Sequence, residues 1–308
     1  MAQTQMNPNK FDLVGAKASD AEKISKPSLS FWKDAMIRFR KNKLAMLGVI
    51  MLILLSFMAI FGQYISGHDT AQTDLLNTNK PPSAEHWFGT DDLGRDMFAR
   101  VWEGARISIF IGLAAALIDL VIGVLWGGIA GYKGGKVDEI MMRIADILYG
   151  IPYLLVVILF IVLFEKVNLW TMIIAMTLIG WVSMAKIVRG QVLQLKTQEY
   201  VLASQTLGAK TGWIMFKHLI PNAMGPIIVT LTLTIPNAIF TEAFLSFLGL
   251  GISPPLASWG TMATEGVVAM QYYPWRLFFP AAFICITMLS FNVIGDGLRD
   301  ALDPKLRK

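Results

Sequence analysis

Six predominantly apolar windows, at 44–65, 107–130, 147–164, 169–185, 223–250 and 277–294, the fifth interrupted by Pro226, Pro236 and Glu242, constrain this chain more than any other feature. A helix rises about 1.5 Å per residue, so each window comes close to the roughly 20 residues needed to cross the hydrocarbon of a bilayer. Within that hydrocarbon every backbone N–H and C=O must find a partner inside the protein, which leaves helices or a closed barrel. Continuous apolar runs, without the alternation of a barrel strand, select helices. The balance of the 308 residues agrees: 55% are hydrophobic and 16% charged, where a soluble domain carries roughly a quarter charged residues. The expected fold is an all-α integral membrane protein with six transmembrane helices, and an even number of crossings puts both termini on one side.

Which side follows from the charges. With the termini cytoplasmic, 21 of the 27 Lys and Arg fall on the cytoplasmic face, and only Lys80, Arg95, Arg100, Arg106, Lys166 and Arg276 fall on the other. This positive-inside bias sets the orientation and accounts for the net charge of +5 without a nucleic-acid surface. No short apolar core with a small-residue cleavage site precedes residue 44, so the first span is expected to act as the insertion signal. Residues 1–30, with Pro8, Pro27 and few large apolar groups, read as a flexible cytoplasmic tail, and 305–308 as a short C-terminal tail. From 31 to 43, Phe31, Trp32, Ala35, Met36 and Phe39 share one helical face. That segment is either an amphipathic helix lying against membrane lipid or an extension of the first span. The single cysteine, Cys285, excludes an internal disulfide, a CxxC pair and a Cys-based zinc site.

The residue pattern assigns no catalytic, cofactor-binding or metal-ligating residue. The turn GYKGGKV at 131–137 lacks the spacing and the hydroxyl of a phosphate loop, His68, His86 and His218 lie in loops, and no GxSxG occurs. Asp91, Asp92 and Asp96, in the acidic extracytoplasmic loop 66–106, lack the alternate spacing of a calcium loop and read as solvated carboxylates. With the second outer loop, 251–276, which carries Pro254, Pro255, Trp259 and Trp275, they point to a docking surface or a gate. No Gly-rich filter marks an ion channel, although a re-entrant turn near 251–259 stays open. Two carboxylates sit inside apolar windows, Asp119 in the second and Glu242 in the fifth, where Pro226 and Pro236 also predict a kink. A charge there is costly against lipid, so both are expected to face protein or water. One reading is a translocation path or gate; the other is a carboxylate paired across helices.

The loop 186–222 is the most informative stretch. QEYVLASQTLGAKTGWIMFKHLIPN reads as a short helix, a left-handed turn at Gly208, a second short helix capped by Thr211, and a stop at Pro221. Val201, Leu202, Leu207, Trp213, Ile214 and Phe216 are too many apolar groups for a solvated loop, so a protein or membrane surface is expected over them. The stretch resembles the cytoplasmic signature of ABC importer permeases: Glu-Ala-Ala, three residues, Gly, nine residues, then an aliphatic segment ending in Pro. Ala203, Gly208 and Pro221 fall at that spacing, Leu202 and Ser204 depart from it, and Glu199 stands one turn earlier. Longer stretches are similar to the C-type permease of oligopeptide and dipeptide importers: HWFGTDDLGRDMFARVWEGARISI at 86–109, GGIAGYKGGKVDEIMMR at 127–143, EAFLSFLGLGISPPLASWG at 242–260 and FNVIGDGLRDALDP at 291–304.

The resemblance runs from residue 31 to the C-terminus and implies a type I importer permease in the cell membrane. Its permease core would span 107–304, and a coupling helix at about 199–217 would meet an ATPase through Glu199, Ala203, Gly208 and Pro221. It further implies a second homologous permease, two ABC ATPases that bind ATP and Mg, a peptide substrate and an extracytoplasmic peptide-binding protein. That protein would be reached through Asp91, Asp92, Arg95, Asp96 and Trp259. Neither enzymatic activity nor a cofactor belongs to this chain in that picture. A permease for nickel or another small solute, and a proton-coupled secondary transporter using Glu242, are the other readings.

Overall fold

The computed structural model describes residues 30–164 and 166–303; apart from Ser30, the tails expected at 1–30 and 305–308 lie outside them. Among the described residues ten helices follow one another: α1 Phe31–Lys41, α2 Lys43–Ile65, α3 Met97–Lys133, α4 Gly135–Gly150, α5 Tyr153–Val162, α6 Leu169–Leu195, α7 Glu199–Thr206, α8 Thr211–Leu250, α9 Trp259–Ala269 and α10 Trp275–Leu302. Five of them, α2, α3, α6, α8 and α10, are long and apolar enough to cross a membrane. The pair α4 and α5, bent by 78°, makes a sixth crossing when counted as one span.

The helices overrun the apolar windows, because the hydrocarbon limits the apolar stretch and not the helix. Residues 97–106, assigned by composition to the outer loop, are the first turns of α3; Asp96 starts them by accepting from the Ala99 N–H at 2.8 Å. The third window, 147–164, is not one helix. Pro152 lacks an N–H and crowds the residue before it out of the helical region, so Ile151 is extended (φ −82°, ψ 131°) and the window straddles α4 and α5.

The fifth window departs the other way. Pro226 and Pro236 lie inside α8 without interrupting it, and Pro221 does not stop it. Just ahead of Pro221 a π turn, Met215–Leu219, lets the Ile220 N–H reach the Met215 carbonyl, and this wider turn accommodates the proline ring and its missing donor. Thr211 is the first residue of α8 and not its cap. The helix ends in a second π turn, Ser246–Leu250, where Gly249 takes φ 81°.

At the centre α3 runs along α6. Gly123, Gly127 and Gly131 recur every fourth residue on the contact face; a Cβ on Gly127 would collide with the Ala185 backbone, and one on Gly131 would come within 3.0 Å of the Arg189 carbonyl. Such a stripe lets two helices close to backbone contact, where van der Waals packing drives association in lipid. Arg189 adds a two-pronged pair to Asp138, at 2.5 and 2.7 Å, that ties α4 to α6. α1 buries Ala35, buries Phe39 in a cluster with Ala45, Ile294 and Ala301, and leaves Trp32 and Met36 half-exposed. Its apolar stripe is thus shared between protein and surroundings.

Candidate functional site

A cavity of about 540 Å³ opens at the bend between α4 and α5, lined by Asp119, the bend residues 149–153, Gly180, Ser183, Thr234 and Asn237. Non-helical backbone inside a membrane segment is tolerated where it lines such a cavity, and Ile151–Pro152 forms one wall of this one. Asp119 is 6% exposed, and its Oδ1 has no hydrogen-bond partner among the described residues. Gly180 makes room for it: a Cβ there would lie 3.0 Å from the Asp119 carboxyl carbon. The Tyr153 hydroxyl donates to the Met176 carbonyl at 3.1 Å and fixes the adjoining wall.

Glu242 is fully buried and does not line that cavity, although Ala238 and Thr241 of the same helix do. Its Oε1 accepts from Ser258 at 2.6 Å and Ser246 at 3.0 Å, and its Oε2 from Ser108 at 3.3 Å. Three hydroxyls stand in for water, so the carboxylate ties α3, α8 and the start of α9 together. Of the two sequence readings, the geometry supports the inter-helix tie and not the wall of a path. Ser246, one turn along the same helix, was a legible partner; Ser108 and Ser258 were not.

At the α3 N-terminal end, the expected docking residues are mostly interior. Asp91, 1% exposed, accepts from the Leu93 and Arg95 N–H groups, each at 2.9 Å, and from Arg95 Nε at 2.7 Å and Arg100 Nη1. Asp96 is buried as the cap of α3. Trp259 is fully buried, its ring N–H donating to the Val101 carbonyl at 2.8 Å and its backbone N–H to Ser108 Oγ at 3.1 Å. These three are therefore neither solvated nor available to a partner, because charge and hydropathy count groups without seeing what they pair with. Asp92 remains half-exposed, and Arg95 partly so.

Two residues carry weight that sequence reasoning missed. Arg100, buried, bridges Asp91 to Glu265 of α9 at 3.5 Å, and Arg276, buried, links Asp92 at 3.3 Å and Asn79 at 3.0 Å to the start of α10. In the run DDLGRDMFAR the four-residue spacing makes the Asp91–Arg95 pair legible, but it sets Arg100 against Asp96 and not against Asp91, which the fold brings to it. In the same loop, the Asn77 side chain and then the Leu76 N–H hydrogen-bond to Asp74 and hold its carboxyl below the ordinary range.

The other end of α3 carries the knob formed by α7 and the start of α8, with Lys196 donating to the Gly131 carbonyl at 2.7 Å. Gly208, at φ 79° as its spacing predicts, closes α7: its N–H reaches the Gln205 carbonyl at 2.9 Å and the Ala209 N–H reaches Ser204 at 3.1 Å. Val201 and Ile214 are fully buried with Leu219 against Val188 and Val192, so two of the six apolar groups expected to need a partner are covered by the chain itself. Leu202, Trp213 and Phe216 are exposed, and Leu207 is 87% exposed. Glu199, Ala203, Gly208 and Pro221 all lie on exposed surface.

A family model described as the binding-protein-dependent transport system inner membrane component matches residues 123–308, and one for the N-terminal TM domain of oligopeptide transport permease C matches residues 30–82. The chain is 69% identical over 300 residues to the oligopeptide transport system permease protein OppC of Bacillus subtilis (strain 168), covering 97% of this chain and 98% of that one. It is 59% identical over 299 residues to the dipeptide transport system permease protein DppC of the same strain, covering 97% and 93%. With OppC of Escherichia coli (strain K12) it shares 43% over 289 residues, covering 93% and 95%. Similarity of this extent, over a helical architecture with an open cavity and a bare apolar knob, means that the chain belongs to the family of binding-protein-dependent transport inner membrane permeases, in its OppC/DppC branch.

Proposed function

We propose that this chain is one of two membrane subunits of an ATP-driven importer of oligopeptides or dipeptides. Its multi-pass architecture is read as a type I permease with six crossings, α4 and α5 together forming one, and with both termini cytoplasmic. The observation that carries the reading is the knob: four large apolar side chains stay bare on a compact, internally anchored element, next to Glu199, Ala203, Gly208 and Pro221. Solvated loops do not keep such a face uncovered, and a groove on an ABC ATPase is its natural cover. The chain itself catalyses nothing and holds no cofactor; ATP and Mg belong to two partner ATPases. Their closure would move the knob and bias the permease pair between inward-facing and outward-facing states.

The Asp119 cavity forms part of the translocation path in this reading, completed by a second homologous permease. A carboxylate whose Oδ1 has no partner among the described residues, with Ser183, Thr234 and Asn237 beside it in a largely apolar cavity, suits a cationic group of a passing peptide. An extracytoplasmic peptide-binding protein meets the end around Asp92 and Arg95, and α1 lies at the lipid interface ahead of the first span. Residues 107–304 constitute the permease core.

A tagged chain drawn from native membranes in mild detergent is expected to carry two ATPases and a second permease in stoichiometric amounts, with uptake of labelled peptide that requires ATP and resists competition by nickel. A chain that purifies alone, or uptake displaced by nickel and not by peptide, would overturn the assignment. Asp119→Asn and Gly180→Val, the latter driving new carbons into the carboxylate, are each expected to depress peptide uptake without reducing membrane insertion. Wild-type uptake in both would remove the cavity from the path.

A further inference from the structure

We propose that His68, His86 and Asp96 form a binding site for a divalent transition-metal ion of the zinc type, which staples the end of α2 to the start of α3. The three residues come from separate places. His68 follows α2 by three residues and is turned back by Gly67 at φ 72°, His86 lies in the connecting loop, and Asp96 caps α3. One ligand atom from each lies within 4.8 Å of the others. The His86 Nδ1 to Asp96 Oδ1 distance is 2.9 Å. That is close to the edge of a zinc tetrahedron, roughly 3.3 Å for bonds of 2.0 Å. The two imidazole rings lie with centroids 4.7 Å apart, tilted by 39°.

Two independent observations point to a ligand. His68 Nδ1 is buried and has no hydrogen-bond partner among the described residues, and a buried ring nitrogen left unpaired is costly. A cavity of about 210 Å³ also opens onto this cluster, lined by His68, His86, Asp96, Asp69 and Glu85, with space for a water or a further carboxylate in the fourth position. Two imidazoles with a carboxylate are donors that zinc accepts readily, whereas calcium and magnesium favour all-oxygen sets. Asp96 is held for the task, since its Oδ2 is fixed by the Ala99 N–H while Oδ1 faces the histidines. The acidic spacing in this loop gives no calcium site; the convergence of His68 and His86, 18 positions apart, exists only in three dimensions.

The test uses the full chain in detergent or nanodiscs, purified by a tag without histidine, and zinc chloride as the probe in calorimetry. One ion per chain is expected, with a rise in melting temperature on zinc addition. Affinity should fall by at least about tenfold in His68→Ala and His86→Ala and stay at the wild-type value in His218→Ala. Asp96→Asn preserves a good helix cap and is expected to weaken zinc while the metal-free melting temperature is retained. Cobalt added in place of zinc should give the absorption bands of a low-coordinate site in the wild type and not in the variants. Absence of zinc binding, or equal affinity in the wild type and all of His68→Ala, His86→Ala and Asp96→Asn, would overturn the proposal.

Discussion

Replacing Gly208 by proline is expected to abolish ATP-driven uptake in a protein that still inserts and packs its spans. Gly208 holds φ at 79°, outside the range a proline ring allows, and its N–H, which proline lacks, reaches the Gln205 carbonyl at 2.9 Å. The substitution therefore removes both the bond and the turn that set α7 against the start of α8. The damage stays local, because nothing lies within 4 Å of a Cβ at this position and the turn is exposed. Val201, Ile214 and Leu219 keep their cover on α6, so the knob remains attached while the bare face of Leu202, Leu207, Trp213 and Phe216 loses its shape. Gly208→Ala retains the N–H and costs about 1–2 kcal/mol for a left-handed residue, so it should impair uptake less. Gly212→Ala, in open space with helical backbone, serves as the control and should transport normally. Labelled-peptide uptake beside ATPase co-purification decides: proline at 208 with normal uptake, or loss of uptake with the ATPases still bound and stimulated, would count against this coupling surface.

Much of this arrangement could be read from residue order, and the failures share a cause. The first span, 44–65, matches α2 almost residue for residue because Asn42 caps it, accepting from the Ala45 N–H at 3.1 Å, and its apolar stretch ends where the helix ends. α3 and α6 were underestimated since their ends continue in polar residues that pair within the protein. The bend at Ile151–Pro152 was hidden by hydrophobicity: an apolar window reports burial in lipid and is silent about backbone direction. Pro221, by contrast, was overweighted, because a π turn supplies what a regular helix could not. The Gly208 turn was legible because a single local conformation demands glycine there. Asp91 and Trp259 were misjudged, and Glu242 was left between two readings, for the opposite reason. Their partners, Arg100, Val101 and the serines at 108 and 258, come from other elements, and only the fold brings them into reach.

The largest loss of stability is expected at Arg100. Its guanidinium and the Asp91 carboxylate are both almost wholly buried, and Arg100→Ala leaves that carboxylate in a site built for charge. Breaking one side of a buried pair costs about 3–5 kcal/mol, more than the pair contributes over an apolar replacement. Arg95 cannot make up the difference, since it already holds Asp91 at 2.7 Å and the variant also cuts the link to Glu265 of α9. The loss should appear as a lower melting temperature in detergent and faster proteolysis within 66–96. The double variant Asp91→Asn with Arg100→Met should recover a large part of it. The amide oxygen still accepts from the Leu93 and Arg95 N–H groups, no buried charge is stranded at 91, and Arg95 retains solvent and Asp92, 4.0 Å away. A double variant as unstable as Arg100→Ala alone would mean that packing of the arginine stem, and not the charge it neutralises, holds this end of the protein together.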